Sequence, residues 1–158
     1  MKIDIGISEQ NRDGVAKILN GILADEQVLL IKTKKYHWNV TGPHFPQLHK
    51  FFDEQYESIS GFVDDIAERI RGLGSFAAGS MADYLKIASI KEDSGGNIDA
   101  QTMVQNLLEN HEALIKVLRK DVSETMEKHG DAGTSDFLTG LMEEHEKTAW
   151  MLRATLSS

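Results

Sequence analysis

Apolar residues recur along this chain in alternating steps of four and three. The clearest run is Phe52, Tyr56, Ile59, Val63, Ile66, Ile70 and Leu73, which winds one apolar seam along a helix packed in a bundle. Upstream, Val15, Leu19, Ile22, Leu29, Tyr36 and Val40 share a heptad-like face that Glu26 and Thr33 interrupt. This predicts a first long helix from about Ser8 to Val40, in which Gly14 and Gly21 weaken helix propensity and allow close backbone approach. Gly42 and Pro43 form a turn signal that ends it, and Pro46 suits the first turn of a second helix, from about Pro46 to Arg71. A glycine-rich connection leads to a short helix over 81–89, capped by Ser80, and then to a loop at 92–97. Asp99 caps a third long helix, with Val104, Leu107, Leu108, His111, Leu114, Leu118, Val122 and Thr125 along its seam. A fourth, from about Ser135, turns Leu138, Leu141, His145, Thr148 and Leu152 inward.

Four long helices, with a short extra helix in the crossover between the second and third, describe an all-α, ferritin-like four-helix bundle. The only two prolines, Pro43 and Pro46, both precede or open the second helix, and no strand-like alternation competes with the helical periods. The chain of 158 residues can bury one full core and shows no composition shift, so residues 1–158 read as one domain. It has neither a membrane-spanning apolar run nor a basic-then-apolar leader, and reads as soluble, unexported and free of membrane partners. The absence of cysteine excludes thiol catalysis, disulfides and cysteine-ligated metal centres, and fits the cytoplasm. A net charge of −8 disfavours polyanion binding and suits a protein that attracts cations.

Candidate ligands lie on the second helix. His49, Asp53, Asp64 and Glu68 fall in a stripe about 100° wide that starts at one edge of the apolar seam. His49 and Asp53 form one i,i+4 pair and Asp64 and Glu68 another, but His49 and Asp64 are fifteen residues apart. On a straight helix that is about 22 Å, whereas a metal holds its ligands at roughly 2.0–2.6 Å. The pairs therefore belong either to two sites or to one site shared between chains. A twofold axis near Ile59 would set the first pair of one chain against the second pair of its neighbour. No histidine has a glutamate three residues before it, so the Glu-x-x-His motif of di-iron centres inside a bundle is missing.

The stretch H-W-N-V-x-G-x-x-F-x-x-L-H from His37 to His49, D-E-Q-Y from Asp53 and D-x-I-A-E-R-I-R-x-L-G from Asp64 resemble the Dps family, the miniferritins named as DNA-binding proteins from starved cells. The resemblance covers almost the whole chain. It implies a ferroxidase centre at a twofold interface, with His37, His49 and Asp53 from one subunit and Asp64 and Glu68 from its neighbour. It further implies a homododecamer that oxidises Fe(II) with hydrogen peroxide or O2, stores the ferric mineral and so protects against oxidative stress. Two imidazoles with three carboxylates suit Fe(II) and tolerate Fe(III), and zinc is a substitute for the same ligands. Trp38 matches an aromatic beside the family's centre and reads either as a trap for stray oxidising equivalents or as a packing residue.

Asp131 and Asp136 match positions where the family lines an entry pore with acids, and capping of the fourth helix explains them equally well. Glu26, His111 and His145 interrupt three apolar seams, as hydrogen-bonded core residues or as a second metal site inside the bundle. Family members that bind DNA do so through a basic terminal extension. Here Lys2, Arg12 and Lys17 are cancelled by Asp4, Glu9 and Asp13, and Arg153 stands alone near the other end, so DNA binding is expected to be weak or absent. The alternative function is a non-enzymatic, DNA-protecting shell whose acidic stripe is merely interface.

Overall fold

The computed structural model describes residues 3–157 as five helices with no strand among them. They are α1 (Glu9–Asn39), α2 (Phe45–Gly72), the short α3 (Met81–Ile87), α4 (Ala100–Glu127) and α5 (Ala132–Leu156). Lys2, counted above in the N-terminal charge balance, lies outside the described residues.

Side chains that accept a first-turn N–H set most of the helix starts. Ser8 accepts from Asn11, Ser80 from Asp83 and Asp99 from Thr102. The last helix begins upstream of the expected Ser135, because Asp131 already accepts from the N–H of Thr134. That cap outweighs the low propensity of Gly133, and the chain reverses at Gly130, whose φ of +64° only glycine adopts freely.

α1 and α2 are antiparallel. Arg12 Nε donates to the carbonyl of Leu73 at one end (3.1 Å), and His37 meets His49 at the other. α4 also runs antiparallel to α1, since Asn106 Nδ2 donates to the Tyr36 hydroxyl (3.0 Å) and Lys32 Nζ to Asn110 Oδ1 (2.5 Å). α5 folds back along α4, so two helical hairpins are joined by the crossover that holds α3. Asp25 pins that crossover: its buried carboxylate accepts from Ser89 N (2.6 Å), Ser89 Oγ (2.7 Å) and Ile90 N (2.8 Å). Lys32 adds a bond to the carbonyl of Lys91 (2.6 Å), and burial lowers its pKa while the nearby Asp93 carboxylate pulls the other way.

The predicted seams form the core, with a few exchanges at their margins. Tyr56 and Val63 are only half-buried, whereas Gln55, one position from Tyr56, is buried in their place. On α5, Ala149 is buried and Thr148 is not. Gly14 makes room for the His129 ring against α1, but Gly21 has no neighbour that a side chain would meet.

Asp131 also accepts from Arg69 Nη2 at 3.0 Å. Burial alone would raise its pKa, but hydrogen bonds from the Thr134 hydroxyl and N–H, with the Arg69 guanidinium, hold it below the usual carboxylate value. A depressed folded pKa gives stability that is present above the unfolded pKa and lost as pH falls through the folded one. Asp131→Ala is therefore expected to cost about 2 kcal/mol at neutral pH in urea unfolding, and its gap to the parent should close in acid. A gap unchanged on acidification would contradict the ion-pair account.

Candidate metal centre

His37 lies in the last turn of α1 and His49 in the second turn of α2, and the tight connection between the helices brings the rings face to face. They stack with centroids 3.8 Å apart and planes 20° from parallel. Each ring bonds the other residue's backbone: His37 Nδ1 to the carbonyl of His49 at 2.8 Å, and His49 Nδ1 to the carbonyl of His37 at 2.9 Å. Carbonyls only accept, so both Nδ1 atoms carry the proton and both Nε2 atoms of the neutral rings present a lone pair. That is the tautomer a metal-binding histidine needs, held by main chain rather than by a mobile side chain. The carbonyl of His37 is also one of the open acceptors at the end of α1, so the clasp caps that helix.

Asp53, one turn beyond His49, brings Oδ1 to 4.0 Å from His37 Nε2. Tyr56 joins this group, although its place in the apolar spacing marked it as core. Its ring edge meets His37 (centroids 5.2 Å, 75°), Lys34 Nζ lies 5.1 Å from its ring centre, and hydrogen bonding to the Asp53 carboxylate pushes its phenol up to about 12. The signal was its spacing, three residues after Asp53 and so on the same face.

Asp64 and Glu68 are exposed further along α2, with exposed Ser60 between the two ligand pairs. Among the described residues, no three His, Asp or Glu side chains of this chain are arranged to hold one metal ion. The structure thus brings His37, His49 and Asp53 together and leaves Asp64 and Glu68 apart from them. Trp38 is 69% exposed beside His37. Of the two acids matched to a pore, Asp131 is only 2% exposed and its carboxylate is engaged by Thr134 and Arg69, which is the capping role; Asp136 is exposed. Glu26, His111 and His145 do meet, inside the bundle.

The fold and the His–carboxylate group place the chain among ferritin-like proteins, and residues 16–158 match the ferritin-like domain. A Dps protein from Vibrio cholerae O1, described as a member of a broad superfamily of ferritin-like diiron-carboxylate proteins, superposes with a TM-score of 0.92 at 35% identity, covering 99% of this chain and 98% of that one. DpsC from Streptomyces coelicolor gives 0.96 at 28% identity, covering 100% and 92%. In sequence, the chain is 50% identical over 153 residues to an uncharacterized low temperature-induced protein of Nostoc sp. strain PCC 7120, covering 97% of this chain and 86% of that protein. It is 40% identical over 143 residues to DNA protection during starvation protein 2 of Bacillus anthracis, covering 90% and 97%. The chain belongs to the Dps family.

Asp53→Asn removes the charge that holds the Tyr56 phenol up. Its ionisation, followed by NMR of labelled tyrosine, should fall from about 12 toward the ordinary value of about 10. No movement would show that Asp53 does not face this ring in solution.

Proposed function

We propose that this chain is the subunit of an iron-oxidising and iron-storing shell, its metal centre completed across a twofold axis by His37, His49 and Asp53 of one subunit and Asp64 and Glu68 of the next. The observation that carries this reading is the reciprocal His37–His49 clasp, which leaves two oriented Nε2 lone pairs, that of His37 4.0 Å from Asp53, and no further group among the described residues to complete a coordination sphere. The spacing along α2 supports the rest. Ser60, in the ligand stripe midway between the two pairs, is small enough to let two copies of α2 cross closely where the axis would pass. Ile31, Trp38, Met81 and Leu85 remain exposed on α1 and α3, which suits an assembled rather than a solitary subunit.

Fe(II) is the substrate, and hydrogen peroxide or O2 the oxidant. Two Fe(II) ions give one electron each to a peroxide, which takes up two protons and leaves as two waters, so both ingredients of hydroxyl-radical formation are consumed. The neighbouring carboxylates Asp64 and Glu68 repel each other by a few tenths of a kcal/mol on an isolated helix, and a bound cation turns that repulsion into attraction. The assembly is a homododecamer that stores the ferric product in its interior, in the cytoplasm. The relatives' names add protection of DNA, and removal of iron and peroxide achieves this without contact.

Stopped-flow oxidation of Fe(II) by peroxide tests the reading. His37→Ala and Asp64→Ala should each abolish the fast phase, while subunits of the two variants reassembled in equal numbers should recover about one quarter of it, because only mixed dimers form an intact centre and only on one side. Unchanged rates in both variants would leave the non-enzymatic shell as the better reading. Zinc, redox-inert and suited to the same ligands, should inhibit the parent. With a net charge of −8 per chain, gel shifts at low salt should show no tight DNA complex unless divalent cations bridge the two acidic surfaces; tight binding without them would overturn this part.

A further inference from the structure

Glu26 of α1, His145 of α5 and His111 of α4 form a file across the bundle core. Glu26 Oε1 lies 2.7 Å from His145 Nε2, and His145 Nδ1 lies 2.8 Å from His111 Nδ1. All three are buried to within 1% of full coverage, and burial, then the neighbouring His145, drives the His111 pKa well below the ordinary histidine value. Five buried side-chain polar atoms lack a hydrogen-bond partner among the described residues. One, Asp93 Oδ2, is in an ion pair with Lys35; the other four are Glu26 Oε2, His111 Nε2 and both amide atoms of Gln55.

Gln55 lies at the axial height of His111, whereas Glu26 is five residues back along α1 from Ile31. Counting along α1 and α4 from the bonds of Tyr36 and Lys32 sets His111 opposite Ile31, and counting along α2 from the His37–His49 clasp sets Gln55 opposite Ile31 as well. Helices α1, α4 and α5 send three polar groups that meet in one slice of an otherwise apolar core. Native interiors leave few such atoms unmatched, and a cluster of them implies an occupant.

We propose that this slice is a second metal site, a d10 ion held between His145 Nδ1 and His111 Nδ1 in place of the proton those rings now share. With both Nδ1 lone pairs on the metal, each ring carries its hydrogen on Nε2. His145 then donates to the Glu26 carboxylate, the carboxylate–histidine–metal arrangement that orients a ligand. The rings separate by about 1 Å to admit the ion, since two nitrogens on opposite sides of it at ordinary metal–nitrogen lengths stand roughly 4 Å apart. Glu26 has no charged partner within ion-pair distance other than His145 among the described residues, so a monovalent ion leaves the core neutral; this favours Cu(I) over Zn(II). The site is independent of the centre proposed at the subunit boundary.

The test uses the assembled full-length protein carrying His37→Ala and Asp64→Ala, which disables the boundary site. It is incubated anaerobically with Cu(I) or with Zn(II), desalted and analysed for metal per subunit. One equivalent of Cu(I) should be retained, with X-ray absorption showing low-number nitrogen coordination, and His111→Leu should abolish it. Glu26→Gln, nearly isosteric, should weaken it by about 10- to 100-fold. Retention of Zn(II) with the same sensitivity upholds the site but corrects its charge. Failure to retain either ion, or retention that survives His111→Leu in an assembly of normal size and helicity, overturns the proposal and leaves the slice to water.

Discussion

An α-helix is stiff and advances about 1.5 Å per residue, and the division of the proposed metal centre between two chains follows from that stiffness. His49 and Asp64 sit on one unbroken helix, Phe45–Gly72, so no rotamer change lets one chain close both ligand pairs around one ion. What a single chain can do is prepare half of the proposed site. The tight connection after Asn39 folds the end of α1 onto the start of α2, and the His37–His49 clasp uses two backbone carbonyls to fix two tautomers. The same two bonds close a helix end and orient the proposed ligands, so the local fold and the proposed chemistry rest on one contact.

The interior shows how differently adjacent buried acids are handled. Asp25 and Glu26 are neighbours in sequence and both nearly fully buried. Asp25 receives three donors from the crossover and serves architecture, holding Ser89 and Ile90 against α1. Glu26 receives one donor from a histidine and keeps an unmatched oxygen. An uncompensated polar atom in a core costs more than a hydrogen bond gains, so Glu26 is the one that asks for a further partner.

Much of the fold was legible in residue order. The period of the apolar positions, the caps Ser80 and Asp99, and the Gly42–Pro43 break are local signals, and they set four of the five helices to within a few residues. The fourth long helix, expected from about Ser135, starts at Ala132, because the Thr134 N–H donates to the Asp131 carboxylate and carries the helix through Gly133. Tyr56 was read as core because its spacing fits the seam; the margin of a seam is apolar or functional according to what the neighbouring helix presents there, and here that is His37.

The sequence by itself determined the helix count, the stripe that carries His49, Asp53, Asp64 and Glu68, and the distance that keeps its two ends apart. These depend only on rise and rotation per residue, which are the same in every helix. Tertiary structure alone decided that His37 and His49 lock each other's protons, that Asp131 is spent on Arg69, and that Glu26, His145 and His111 meet in one file. Those facts depend on which residues of distant segments arrive at the same height when helices pack, and no local period encodes that.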